Sequence, residues 1–397
     1  MHIDFFKMIP IKSPLVFSLI IFLVGINLRP SIASLSPLTK DIEKLTTLND
    51  FSVSFLTTLP IWLIGLLLLI TPFLHKKLGE RRGVALALLL LAGTFLLRWI
   101  NISTTTLLIS SVLSGLGIAL GQSLIPIFIK EHTQDQTARY MAIYSTAIMA
   151  GALVSSAISP WIALNIDMST ALGFWLIITI IGYIVWKQQS LPDSLFVMSD
   201  FAKSVIKKPR FWLLVLFMGL GTGIYTIILA WLPPFYTQLG WTSQKSGLLL
   251  SFVTASEVLA GTSISFFISH YPDRRPIIWF FVSLLIIGLT FFCYDPIALA
   301  WVAALFTGLG IGALFPLSLI VAMDHGKNTT DAGSLSGFVQ GGAYLLASIF
   351  PLIAGVIEQF FSNLRLAWGL MILVSLIIGL LAFRFSPKYK FSLYPSE

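Results

Sequence analysis

Charge is scarce in this 397-residue chain. Asp, Glu, Lys and Arg make up only 11% of it, against roughly a quarter in soluble domains. So few charged groups cannot coat a water-soluble fold, and 56% of the residues are hydrophobic, which makes this an integral membrane protein. Cysteine is nearly absent too. The single Cys293 sits in an apolar run, excludes an intramolecular disulfide and says little about redox compartment. No glycine loop ending in Lys-Ser/Thr is present to hold a nucleotide phosphate, so ATP-driven transport by this chain alone is not indicated. His2, His75, His132, His270 and His325 show no metal-ligand spacing. No enzyme signature, metal or cofactor is expected.

Long apolar runs are what the chain has in place of charge. Twelve are long enough to cross a bilayer: 14–38, 50–74, 83–101, 105–130, 138–160, 169–187, 210–237, 244–269, 276–294, 298–323, 331–357 and 364–385. The net charge of +8 would suit nucleic acid, but its distribution argues otherwise. Most Lys and Arg residues cluster in every second connection: Lys76, Lys77, Arg81 and Arg82 after span 2, Lys203, Lys207, Lys208 and Arg210 after span 6, Arg274 and Arg275 after span 8. The positive-inside rule then makes both termini cytoplasmic. Lys40, Lys44, Arg98, Lys245 and Arg365 fall on the other side, leaving Arg29 as the only buried base. A cleaved signal peptide ending near Ser31-Ile32-Ala33 is the alternative for the start, and Arg29-Pro30 beside the cleavage position argues against it.

The longest polar stretch, 188–209, divides six spans from six and reads as a cytoplasmic linker with a short amphipathic helix. The expected units are residues 1–187, a six-helix bundle, and 210–397, a second one. The halves echo each other. Gly115-Leu116-Gly117-Ile118 in span 4 matches Gly308-Leu309-Gly310-Ile311 in span 10, and the same offset relates Arg81-Arg82 to Arg274-Arg275. Duplicated halves of this kind are a transporter architecture, with the substrate site near the midplane between them. Gly117/Gly121 and Gly308/Gly312 mark close helix contacts.

Arg29 stands out because it lies roughly 20 Å beyond Leu15 at ~1.5 Å per residue. A cation at that depth costs at least ~2.5 kcal/mol. It reads either as a contact for an anionic or polar substrate in a wet cavity or as a structural cation within one half. Asn27 lies near the same level, and Pro30 frees a carbonyl one turn earlier. Glu257, midway along span 8, is the one acid deep in a span. It is a candidate for proton coupling or gating, with an inter-half pair to Arg29 or a buried neutral acid as alternatives. Gln122, Tyr144, Tyr225, Trp231, Gln340 and Tyr344 are candidate cavity residues, each equally able to hydrogen-bond between helices. Trp99, Trp161, Trp212, Trp241 and Trp368 sit near span ends as expected interfacial anchors.

With twelve spans, a central linker and a repeat, the chain resembles the major facilitator superfamily. That family's motif after span 2 has the pattern G-x-x-x-D-R/K-x-G-x-R/K-R/K. Here Lys77, Gly79, Arg81 and Arg82 fit it as a cytoplasmic gate motif, whereas Pro72 and Lys76 replace its glycine and aspartate. Asp273-Arg274-Arg275 is a remnant in the second half. Within the superfamily the chain is similar to the cyanate/2-nitroimidazole porters. That likeness rests on Asn27-Leu28-Arg29-Pro30, Gly115 to Gly121 through Pro126 and Lys130, Ala230-Trp231-Leu232-Pro233, and Leu335 to Tyr344. The resemblance implies an all-α membrane protein of two pseudo-symmetric six-helix bundles, a monomer of the inner membrane. It implies transport of a small compact solute by alternating access, with the proton as the candidate coupling ion. A broad-specificity exporter and a non-transporting receptor or scaffold remain the competing readings.

Overall fold

The computed structural model describes residues 14–133, 136–188, 205–268, 271, 273–325 and 329–386. Twelve helical spans cross the thickness expected of a membrane: Pro14–Leu45, Asp50–Leu69, Phe73–Ile100, Thr104–Thr133, Arg139–Asn165, Met168–Gln188, Pro209–Gln238, Ser243–Ile264, Arg275–Tyr294, Ala300–Met323, Leu335–Phe361 and Arg365–Phe385. They correspond one for one to the twelve expected runs. The expected amphipathic helix in the linker lies mostly outside the described residues, as does the chain before Pro14.

Two pseudo-symmetric bundles hold these spans. Within the first, span 3 packs on span 4, span 2 on span 4, span 1 on span 5 and span 6 on span 3. The second repeats the scheme: 9 on 10, 8 on 10, 7 on 11 and 12 on 9. The repeated glycines act as the spacing suggests. A Cβ at Gly117 would lie 2.9 Å from the Ala87 carbonyl oxygen, and one at Gly308 would lie 2.5 Å from that of Val253. Only glycine lets the backbones come so near.

Two pairs of spans carry most of the contact between the halves, 2 with 11 and 5 with 8, each the pseudo-symmetric image of the other, and the end of span 1 adds to it against span 7. On the first seam a Cβ at Gly65 would lie 2.7 Å from the Leu345 amide nitrogen, and one at Gly341 2.7 Å from Leu69 Cδ2. The inter-half hydrogen bonds gather on the far side, opposite the start of span 1 and the end of span 12. Ser36 Oγ donates to the Ala230 carbonyl at 3.1 Å, Ser251 Oγ donates to the Leu153 carbonyl at 2.9 Å and contacts Ser156 Oγ at 2.8 Å, and Ser243 Oγ donates to Asp41 Oδ2 at 2.9 Å.

Span 1 is not one continuous helix. It runs as a helix over Pro14–Ile26, breaks at residues 27–29, and resumes over Pro30–Ala33. Pro30 has no N–H to offer Ile26, whose carbonyl instead lies against Gly151, where a Cβ would overlap it. The Asn27 amide N–H turns to Val24 at 3.3 Å, which would orphan the Leu23 carbonyl. Asn27 Nδ2 takes that carbonyl at 2.6 Å. Past the break, the Leu35 N–H bonds Ile32 at 3.2 Å in place of Ser31. The Ser31 carbonyl is taken by Arg98 Nη1 at 2.6 Å. Buried carbonyls need such partners, and here side chains supply two of them.

That contact corrects the placement of Arg98. It is 0% exposed, so Arg29 is not the only buried base, and Arg210 is buried as well. Arg98 sits in the last turn of span 3, but its fork folds inward to Ser31 and to Ser110 Oγ at 2.9 Å. Trp368 is also misplaced by the sequence reading. It is wholly buried against Phe235 and Phe292, because span 12 packs on spans 7 and 9 there. The connection of spans 2 and 3 is likewise helical, over Thr71–Ile100, with a kink at Gly79, whose φ of 66° suits a residue without Cβ.

Replacing Arg98 by Met removes the donor on the Ser31 carbonyl. A buried acceptor left alone costs about 1–3 kcal/mol. Thermal unfolding in detergent should therefore show a lower midpoint for Arg98→Met, with Arg98→Lys falling between it and the parent. Equal midpoints for all three would remove this contact from the account of span 1.

Candidate functional site

The break in span 1 aims Arg29 at the other half. Arg29 precedes the short helix Pro30–Ala33 and is buried, 4% exposed. Its guanidinium carbon lies 5.5 Å from the centroid of the Tyr225 ring of span 7, a cation–π distance. It is within hydrogen-bonding reach of the Tyr344 hydroxyl of span 11 and interacts electrostatically with Glu257 of span 8. Tyr144 of span 5 completes the group beside Arg29 and Tyr344, with its hydroxyl on the Gly121 carbonyl at 3.3 Å. One cation from the first half thus meets two phenols and a carboxylate from the second.

The group has donor capacity in reserve. Arg29 Nε and the Tyr225 hydroxyl are buried without a hydrogen-bond partner among the described residues. Both can donate, and they belong to side chains in cation–π contact. An arrangement of this kind suits a small anion or a compact solute with acceptor atoms, held between a cation and aromatic faces. Glu257 is itself held by packing. A Cβ at Gly312 of span 10 would overlap its backbone, so span 10 fixes the height of the carboxyl.

The other candidates separate into two kinds. Gln122 and Gln340 are half-buried and make no side-chain hydrogen bond among the described residues. Gln340 lies one turn from Tyr344, on the same face of span 11. Asn27 and Trp231 are committed elsewhere. Asn27 Oδ1 accepts from Thr179 Oγ1 at 2.7 Å while its Nδ2 holds Leu23, so the side chain knits spans 1 and 6. Trp231 Nε1 donates to the Pro351 carbonyl at 3.0 Å inside the second half. Their polar atoms serve the fold, which the sequence could not distinguish from lining a cavity.

At the near side the motif residues divide similarly. Lys77 and Arg82 are exposed, Lys77 lying 6.0 Å from the Phe73 ring centroid, while the Arg81 carbonyl accepts from Trp186 Nε1 at 2.9 Å. Gly79 makes the kink. The pair that closes over the kink is one the sequence did not suggest: His75 Nε2 and Glu80 Oε1, 3.0 Å apart and both buried. Glu80 is 0% exposed although it sits within a run of charges. In the second half Arg275 forks onto Asp273, with its Nη2 2.6 Å from Oδ2, and these bonds hold the Asp273 carboxyl below its usual range. Arg274 reaches Asp324 at 3.3 Å.

Comparison with known proteins agrees with this architecture. Among solved structures the chain is similar to a D-xylose-proton symporter, with a TM-score of 0.76 and 14% identity, covering 94% of this chain and 98% of that one. It is similar too to a bacterial homolog of the human lysosomal transporter Spinster, inward-facing and unoccupied, with a TM-score of 0.74, 14% identity, and coverage of 96% and 98%. At that identity the likeness concerns the fold. By sequence it is 32% identical to the cyanate transport protein CynX of Escherichia coli (strain K12), over 93% of this chain and 97% of that protein. It is 27% identical to the 2-nitroimidazole transporter of the same organism, over 91% and 92%. Residues 15–332 match the Major Facilitator Superfamily, so the chain is a multi-pass membrane transporter that belongs to that family.

Proposed function

We propose that this transporter moves a small, compact solute, cyanate- or nitroimidazole-like and either anionic or neutral, across the inner membrane by alternating access. Both termini lie on the cytoplasmic side in this reading, and the 188–209 segment links the six-helix units 1–187 and 210–397. The protein works as a monomer and catalyses no reaction. The observation that carries the reading is the buried guanidinium of Arg29, set between the halves against Tyr225, Tyr344 and Glu257. Arg29 orients the solute, Tyr144, Tyr225 and Tyr344 enclose it, and Gln122 and Gln340 supply further hydrogen bonds. Asn27 and Trp231 support the site from behind. Lys77, Gly79, Arg81 and Arg82 belong to the cytoplasmic gate.

Glu257 carries the coupling proton. It is the acid that shares the site with Arg29, so its charge and the solute's compete for the same guanidinium. Binding an anion to Arg29 releases Glu257 from its partner and favours its protonation. Solute and proton then load together, and empty together when the site opens on the other face. The relatives named for cyanate and for 2-nitroimidazole support this substrate class.

Flux into liposomes tests both roles, with cyanate, 2-nitroimidazole and other small anions and heterocycles screened with and without an inward proton gradient. Arg29→Ala should weaken binding about 10–100-fold, the equivalent of losing a charged hydrogen bond worth ~1.5–3 kcal/mol. Arg29→Lys should recover only part, since an ammonium lacks the planar fork. Unchanged affinity in Arg29→Ala would make the residue structural.

Glu257→Gln should keep downhill exchange but lose accumulation driven by the proton gradient. Full accumulation in that variant would move the coupling proton elsewhere.

A further inference from the structure

A second cluster of ionisable groups lies at the far side, away from Arg29, and it too straddles the halves. In the first half, Lys40 Nζ lies 2.5 Å from Asp50 Oδ1 and 3.0 Å from Glu43 Oε2. In the second half, Gln238 Nε2 donates to Glu358 Oε1. Glu358 is 5% exposed. One turn before it, Gly355 presses on Ser54 and on the Asp50 carbonyl, with no room for a Cβ. That contact brings Glu358 to face Asp50 and Lys40, with both of which it interacts electrostatically. Two carboxyl groups therefore pair with one ammonium, and a third, from the other half, feels its charge.

A second observation concerns single atoms. Glu358 Oε2 and Glu43 Oε1 are both buried without a hydrogen-bond partner among the described residues. One comes from each half. An ionised carboxylate in that state loses hydration that nothing replaces, whereas a protonated one is neutral and brings a donor. The neighbouring charges are already engaged. Asp41 holds Lys44 at 3.0 Å and Ser243 at 2.9 Å, and Lys245 stacks on Trp241 at 3.8 Å from the ring centroid.

We propose that Glu43, Asp50, Lys40 and Glu358 form a proton-binding lock, which closes the far side when the carboxyl groups share a proton and opens it when that proton leaves. The lock is distinct from Glu257 and does not involve the solute. It ties the opening of the far side to the pH on that side. One proton bound on closing changes the ratio of open to closed by up to tenfold per pH unit.

The test rests on the alternating-access reading but needs no substrate. A reporter Ser36→Cys is placed in a Cys293→Ser background, because Ser36 Oγ is buried on the Ala230 carbonyl across the seam. Its reaction with an impermeant maleimide from the far side is followed against pH. Rates are normalised to Ile166→Cys, an exposed position on that side. The normalised rate should rise with pH, by up to about tenfold per unit. Glu358→Gln and Glu43→Gln should each flatten the rise. Lys40→Met should move it to higher pH, since carboxyls without their ammonium keep protons longer. If Glu358→Gln fails to fold, Glu43→Gln and Lys40→Met carry the test. A rise unchanged in these variants overturns the lock, as does closure that follows Na+ at constant pH. No labelling at any pH would instead fail the alternating-access reading, and the lock with it.

Discussion

The functional arrangement depends on the break in span 1. A continuous helix would turn the Arg29 side chain by its helical register alone. Pro30 interrupts the hydrogen-bond ladder, and the chain after Ile26 is held by three other spans: Thr179 bonds Asn27, the Gly151 backbone packs on the Ile26 carbonyl, and Arg98 bonds the Ser31 carbonyl. Asn27 and Arg98 fill hydrogen-bond deficits that the break creates. The site residue is therefore fixed from behind by the first half while its charged end faces the second.

Much of this was legible in the sequence, for a physical reason. Membrane spans announce themselves by length and apolarity, and the repeat shows through glycines that only close packing requires. Arg29 and Glu257 were visible because a charge in the middle of an apolar run is costly and stands out. Arg98 and Glu80 were hidden by the same logic. Each lies near a span end, where charge is expected, and only the tertiary structure turns it inward. Asn27 went the other way: its position beside Arg29 suggested a ligand, but hydrogen bonds to Leu23 and Thr179 occupy it. Trp368 shows that a tryptophan near a span end can serve a bundle core as readily as an interface.

The seam and the halves are held by different forces. On the far side the seam is bridged by serine hydroxyls, Ser36 on the Ala230 carbonyl and Ser251 on the Leu153 carbonyl and the Ser156 hydroxyl. Such bonds are short-ranged and individually worth about 0.5–1.5 kcal/mol, so no single one holds the seam shut. Within each half, by contrast, glycine faces lock backbones together over whole helix lengths. The halves are thus far stiffer than the seam between them, which is the condition for moving as two bodies.

The glycine contact between spans 2 and 11 then acquires the character of a fulcrum. Gly65 sits against the Leu345 amide and Cγ and the Gly341 carbonyl, with no room for a side chain of its own. From Gly65 to Ser54, at the far end of span 2, is a lever arm of roughly 16 Å at ~1.5 Å per residue. A rotation of ~15°, the size of known subunit rotations, would sweep that end by about 4 Å. Seam bonds of 2.8–3.1 Å cannot stretch so far, so they must break as a set. A bulkier residue at either glycine would lengthen the bearing and stiffen the hinge from a place well away from Arg29 and Glu257.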